Sequence, residues 1–337
     1  MHLHPTDALA RLAESFSLGV RNLAPSPRWQ DLPRYFPEGE LQPHDPAFDT
    51  EMERINADFP AWLDPGPIEA PPAAAVVRHA SRLEFPSPRP CGVPACDRVV
   101  LKLYSPPADP PPVVILFHPW LYFTLWLTVD WLLAPLVERY RVAVMSAPFH
   151  LERAAKGFVS GEGFVNPNPR RVFEGLRQWQ ADHLAACALL SREAAGAPVL
   201  PVGYSLGGYG LLLNRLVSPA RPAVTICVTN HFARGVLEGS RGVGLRHGVA
   251  AAGFSGPRFE HLTRSLHLAH WAERIGGKDL TWIHARHDDI EPSESLREAR
   301  LAIAPERTVE LGGGHITAML DRQTIVEEIV RRAEGMR

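Results

Sequence analysis

The plainest chemistry in this sequence lies in a serine set among glycines, Gly203-Tyr204-Ser205-Leu206-Gly207-Gly208. The apolar run from Ala197 to Val202 precedes it, and Tyr209-Gly210-Leu211-Leu212-Leu213 follows. That reads as strand, tight turn and helix, with Ser205 at the apex. G-x-S-x-G in such a setting is a nucleophile elbow, a strained turn that lifts the hydroxyl clear of a sheet. Strand and helix nearly touch there, so the residues two places either side must be small. Gly203 and Gly207 meet that demand. Pro201, inside the same strand, removes a ladder hydrogen bond and stands out as an irregularity.

A serine hydroxyl is a poor nucleophile until a base takes its proton, and a carboxylate that fixes the base's tautomer makes the base effective. On a strand-to-helix turn the serine is followed along the chain by the acid and then the histidine. Both are expected in loops beyond the carboxyl ends of strands. A strand predicted at 280–284 runs into Arg286-His287-Asp288-Asp289-Ile290-Glu291-Pro292, and one at 307–311 runs into Gly312-Gly313-Gly314-His315. His315 is the candidate base. Asp288 and Asp289 both qualify as the acid. The strand after the elbow ends at Thr229-Asn230 and offers no carboxylate. Leu206, next to the nucleophile at a helix N-terminus, presents an N–H where negative charge would develop on a tetrahedral intermediate.

These residues need a sheet to position them. Val113-Val114-Ile115-Leu116-Phe117 is a continuous apolar run, as expected of a strand buried on both faces. A helix carrying Trp126, Val129, Leu132, Leu133 and Leu136 should follow, then a strand at 142–145 and a helical stripe from Val172 to Leu190 closed by Gly196 and Pro198. After the elbow come strands at 224–228, 280–284 and 307–311, and a helix carrying Ile325, Val326, Ile329 and Val330. Upstream, 76–80 and 99–104 read as an antiparallel lead-in around a loop at 86–96. Alternation of this kind argues for an α/β fold with a mostly parallel doubly wound sheet. About fifty residues separate the strands at 224–228 and 280–284, more than a crossover needs, so a helical cap insertion is expected at 230–277.

Residues 1–75 differ in texture, with prolines throughout and few β-branched residues. This Pro-rich N-terminal extension should pack on the core of the 76–337 domain, through one helix capped by Thr6 and another capped by Asp45 that carries Phe48, Met52, Ile55 and Phe59. Lys+Arg 35 against Asp+Glu 37 leaves a net charge of −2, which does not call for nucleic acid. Four cysteines are too few for a disulfide framework in 337 residues. Neither a signal peptide nor a membrane span is expected, because Pro119 and Pro135 cut the apolar run at 113–137. The expectation is a cytoplasmic protein with no metal and no cofactor. The 230–277 interval carries five histidines and six arginines against three glutamates, which reads as a solvated helical face.

The segment from about 97 to 335 resembles the α/β-hydrolase superfamily. The likeness rests on the elbow, His118-Pro119 after the third predicted strand, Asp288 four residues before Pro292, and Gly313-Gly314-His315. The superfamily's acid loop commonly reads D-x-x-[VI]-P, which implies Asp288 as the acid and leaves Glu291 where an apolar residue is usual. Its second oxyanion donor comes from a His-Gly-x loop. Here the loop is His118-Pro119-Trp120, Pro119 has no N–H, and Trp120 takes the role. His118, Tyr204 and His150 are expected at the substrate. The resemblance implies a serine hydrolase acting on a small-molecule ester through a Ser-His-Asp triad and an acyl-enzyme. Acyltransferase, amidase or thioesterase chemistry on the same triad, or a silent binding protein, are its alternatives.

Overall fold

A computed structural model describes residues 43–104, 113–120, 132, 134–158, 160–218, 221–240 and 242–336. The helix expected behind Thr6, and Trp126, Val129 and Leu133 of the helix expected after Trp120, lie outside the described residues.

The described chain opens with α1 (Phe48–Ala57) and α2 (Phe59–Leu63). Then come β1 (Val77–His79), β2 (Arg82–Pro86), β3 (Arg98–Tyr104), β4 (Val113–Phe117), α3 (Ala134–Val137) and β5 (Arg141–Met145). The long helix α4 (Pro169–Glu193) leads to β6 (Val199–Tyr204), α5 (Leu206–Val217) and β7 (Ala223–Ile226). Four short helices follow, α6 (Phe232–Leu237), α7 (Val243–Ala251), α8 (Gly256–Leu262) and α9 (Ala272–Ile275). β8 (Leu280–Ala285), α10 (Ser293–Ile303), β9 (Arg307–Leu311) and α11 (Arg322–Glu334) close the chain.

All nine strands among the described residues join one sheet in the order β1-β2-β3-β5-β4-β6-β7-β8-β9. From β5 onward every pairing is parallel, and the β1-β2-β3-β5 edge is antiparallel. This is the mostly parallel, doubly wound sheet that the alternation implied. β4 shows why: all five of its residues are buried. Its period-2 pleat sends Val113, Ile115 and Phe117 into one core with Phe173, Trp179 and Leu212. Val114 and Leu116 enter the core on the other face, with Leu136, Ile325 and Ile329.

Two local expectations are corrected. β1 pairs with β2 and not with β3, and β2 is the antiparallel neighbour of β3. Charged Arg82 and Glu84 mask β2 in the sequence, although Leu83, Glu84 and Phe85 are all buried in it. The helix at 48–59 is two helices, because Asp58 leaves the helical region at φ −141° and its carboxylate caps α2 through the Ala61 N–H. Asp45 caps neither; the residue before α1 is Ala47, with no side-chain cap.

Pro201 is accommodated by register. The Ser205 N–H bonds the Ile226 carbonyl, so odd-numbered residues of β6 turn toward β7. The β6–β7 ladder begins only at Val202 opposite Val224. The donor that proline lacks would face the stretch ahead of β7, and no rung is lost.

Residues 43–63 dock on the helices between β7 and β8. Phe48 packs on Phe254 at 5.7 Å between centroids, the Asn56 amide donates to the Leu262 carbonyl at 2.8 Å, and Arg258 pairs with Asp49 at 2.7 Å. Those helices in turn lie against α5, where the Tyr209 hydroxyl donates to the Leu266 carbonyl at 2.7 Å.

A buried ion pair ties α4 to the loop after β5. Arg153 and Asp182 meet at 2.6 Å with both side chains fully shielded from solvent. Arg153 also donates to the Cys96 and Ser146 carbonyls, and Ser87 donates to the far oxygen of Asp182. Removing one partner of such a pair strands a charge in the interior. Asp182→Asn should therefore lower unfolding stability by about 3–5 kcal/mol, read from the shift of the urea midpoint.

Candidate active site

Ser205 sits between β6 and α5 at φ 53°, ψ −116°, a region costly for a residue with a Cβ. Two main-chain bonds hold it there: its N–H to Ile226 at 2.7 Å, and its carbonyl accepting from the Tyr209 N–H at 2.9 Å. The glycines do what their spacing implied. A Cβ on Gly203 would come within 2.5 Å of the Gly207 main chain, and one on Gly207 would overlap the Phe117 carbonyl. The turn therefore closes directly against the carboxyl end of β4.

His315 lies in the turn after β9, where Gly313 takes φ 81° and the Thr317 hydroxyl accepts from the Gly314 N–H at 2.9 Å. Its Nε2 is 2.8 Å from the Ser205 hydroxyl, and its Nδ1 is 2.9 Å from each Asp288 oxygen. All three residues are under 10% exposed. An imidazole with a carboxylate at Nδ1 carries its proton there, which leaves the Nε2 lone pair facing Ser205. The chemical capacity of this line is to pull a proton off the serine and steady the imidazolium that results.

The two candidate acids part company. Asp288 faces the ring, while Asp289 turns away and accepts from the Ser240 hydroxyl at 2.8 Å. Leu206 opens α5 directly after Ser205. Trp120 follows β4 and donates its indole N–H to the Gly161 carbonyl at 2.9 Å, which anchors that loop.

Three residues expected at the substrate serve the scaffold. The Tyr204 hydroxyl donates to the His315 carbonyl, so it steadies the base's main chain. His118 is fully buried with Nδ1 against the Pro119 carbonyl at 2.8 Å and Nε2 accepting the Ala147 N–H at 3.0 Å. Burial lowers its pKa to about 4, so it braces two loops as a neutral ring. His150 is also fully buried, its Nδ1 bonded to the Pro148 carbonyl and its ring 5.0 Å from His118. Burial, with the neighbouring His118 adding to it, pushes the His150 ring well below the usual histidine range. Proximity to the elbow and to strand ends suggested a pocket lining; the side-chain directions that decide otherwise are not written in spacing.

The sequence reading gave no role to Glu291. Its carboxylate is 2% exposed and accepts the main-chain N–H groups of Asn230 at 2.7 Å and His231 at 2.9 Å. Of the histidines at 230–277, His231, His267 and His270 stack in a row at 4.4 and 4.1 Å, with His267 Nδ1 3.0 Å from His270 Nε2. His231 and His267 are buried and His270 is exposed, so the solvated face expected for this interval turns two of its histidines inward. Among the described residues no group of histidine, cysteine and acidic side chains is disposed to hold a metal ion, and no helix is long and apolar enough to cross a membrane.

Neither a family model nor a curated protein matches the chain. Solved structures do. An acetyl xylan esterase from Paenibacillus sp. R4 aligns at a TM-score of 0.54 with 14% identity, over 87% of this chain and 96% of that one. The fold is that of the α/β-hydrolases. An acylaminoacyl peptidase from Pyrococcus horikoshii aligns at a TM-score of 0.50 with 12% identity, over 70% of this chain and 39% of its own. Within the α/β-hydrolase fold, the elbow between β6 and α5 and the turns after β8 and β9 all open at the carboxyl edge of the sheet, where such sheets meet their ligands.

Proposed function

We propose that this protein is a serine hydrolase that cleaves ester-type small molecules through Ser205, His315 and Asp288. The observation that carries this reading is the continuous line from the Ser205 hydroxyl through both ring nitrogens of His315 to Asp288, at 2.8 and 2.9 Å. Ser205 attacks the substrate carbonyl as His315 Nε2 takes its proton. The N–H groups of Leu206 and Trp120 receive the oxyanion. His315 then protonates the leaving alcohol, and water activated by the same ring clears the acyl-enzyme. Asp288 keeps the ring in the required tautomer throughout.

Residues 230–277 act in this reading as a cap beside the acid loop. They touch it closely: a Cβ on Gly239 would overlap the Ile290 carbonyl, and Ser240 bonds Asp289. The described part of the N-terminal extension, 43–75, braces that cap through α1 and α2. The likeness to an acetyl xylan esterase supports ester substrates, and it does so at the level of the fold.

A fluorophosphonate probe tests the assignment without knowledge of the natural substrate. Native protein should gain one covalent adduct, mapped by mass spectrometry to the peptide bearing Ser205, and heat-denatured protein should gain none. An unlabelled native protein, or an adduct elsewhere, sinks the reading. A panel of p-nitrophenyl esters of graded acyl length then ranks the acyl preference.

A further inference from the structure

The acid loop, 286–292, is fastened along its length, beginning with the Arg286 N–H on the Leu311 carbonyl at 3.0 Å. The His287 N–H bonds the Gly313 carbonyl at 2.9 Å, next to the turn that carries His315. Asp289 is held by the Ser240 main chain at 3.2 Å and by its hydroxyl at 2.8 Å. Glu291 reaches out of the loop to the N–H groups of Asn230 and His231. Its anchor point is firm, because Asn230 is itself fully buried, its amide donating to the Ser295 carbonyl at 2.9 Å and its oxygen accepting the Ala269 N–H at 3.0 Å.

We infer that Glu291 is a positioning residue for the proposed triad: by clasping the Asn230 and His231 N–H groups, it fixes the acid loop so that both Asp288 oxygens meet His315. This rests on the serine hydrolase reading above. Asp288 stands three residues from Glu291 in a turn where its carboxylate also accepts the Ile290 N–H at 3.1 Å. A loop so short transmits a shift at 291 directly to 288, and a displacement of about 1 Å in a catalytic constellation costs on the order of 100-fold in rate. Loss of the carboxylate would also orphan two buried N–H donors.

The charge state of Glu291 supplies a signature. Burial, the largest influence, raises its pKa to about 8 against the opposing pull of the two N–H donors. Asp288 on the same loop pushes in the same direction as burial, and Arg234 on α6 pulls against it. Tyr209 on α5 faces the same carboxylate, and its phenol is itself held well above the usual range, chiefly by burial. His231, at the head of α6, is shifted down by its own burial and by Arg234. Ionisation of Glu291 strengthens both of its N–H bonds, since charged acceptors bind donors more tightly than neutral ones.

Glu291→Gln keeps the size and shape but presents an amide to two N–H groups. Its kcat for a p-nitrophenyl ester should fall about 10- to 100-fold with KM nearly unchanged. The rise in wild-type kcat through about pH 8 should vanish. The low-field proton NMR signal of His315 Nδ1 should move upfield or broaden. Glu291→Asp withdraws the carboxylate by one methylene while keeping its charge, and it should lose rate in the same direction even if the Gln variant folds poorly. Unchanged kcat, pH profile and low-field signal in either folded variant would overturn the inference. The NMR signal needs no turnover, so it reports on positioning even if the probe fails to label Ser205 and the hydrolase reading falls.

Discussion

Ser205→Ala is expected to lower kcat for ester hydrolysis by about a million-fold, and His315→Ala by a similar factor. The double variant should be no worse than either single one. A nucleophile and its base act as one unit: the ring 2.8 Å from the hydroxyl has no proton to take once the hydroxyl is gone, and the hydroxyl is inert without the ring. The residual rate would come from the oxyanion donors alone. Thermal melting should barely move. Alanine keeps the Cβ that makes φ 53° costly, and the main-chain bonds to Ile226 and Tyr209 that hold the turn are untouched. Steady-state kinetics of the three variants beside their melting curves checks this. Losses that multiply in the double variant would mean that serine and histidine act separately.

The parallel core was legible because its strands are buried on both faces and read as unbroken apolar runs. Val113–Phe117 needed no partner to be recognised. The edge was not, since β2 alternates Arg82 and Glu84 with Leu83 and Phe85, and a strand's neighbours are not encoded in its own residues. The residues of the proposed triad stood out in the sequence for a different reason. Ser205 and His315 stand past strand ends beside residues with an unusual backbone demand, Gly203 and Gly207 around Ser205 and Gly313 ahead of His315, and Asp288 follows a strand end four residues before Pro292. Side chains without such a demand were misread. Tyr204 and His118 are near the site in sequence, yet their polar atoms are spent on main-chain carbonyls and an N–H group, and His150 gives its Nδ1 to the Pro148 carbonyl. Glu291 shows the converse, a charged residue in an apolar position whose purpose appears only when Asn230 and His231 arrive from sixty residues away.

Asp288→Asn should cost about 10,000-fold in kcat, and Asp289→Asn very little. Both Asp288 oxygens lie 2.9 Å from His315 Nδ1, so the carboxylate accepts the Nδ1 proton from either side. An amide can turn its NH2 toward the ring, and the ring then places its proton on Nε2, facing the Ser205 hydroxyl. A ring protonated there cannot receive the serine's proton, although every heavy atom has stayed in place. Asp289 has no such leverage. Its side chain accepts from the Ser240 hydroxyl, and an asparagine oxygen can do the same. Because neither change removes volume, melting temperatures should stay close to wild type, and kcat/KM on one ester separates the two. A larger loss at Asp289 would move the acid by one residue, and with it the register in which Pro292 and Glu291 position the loop.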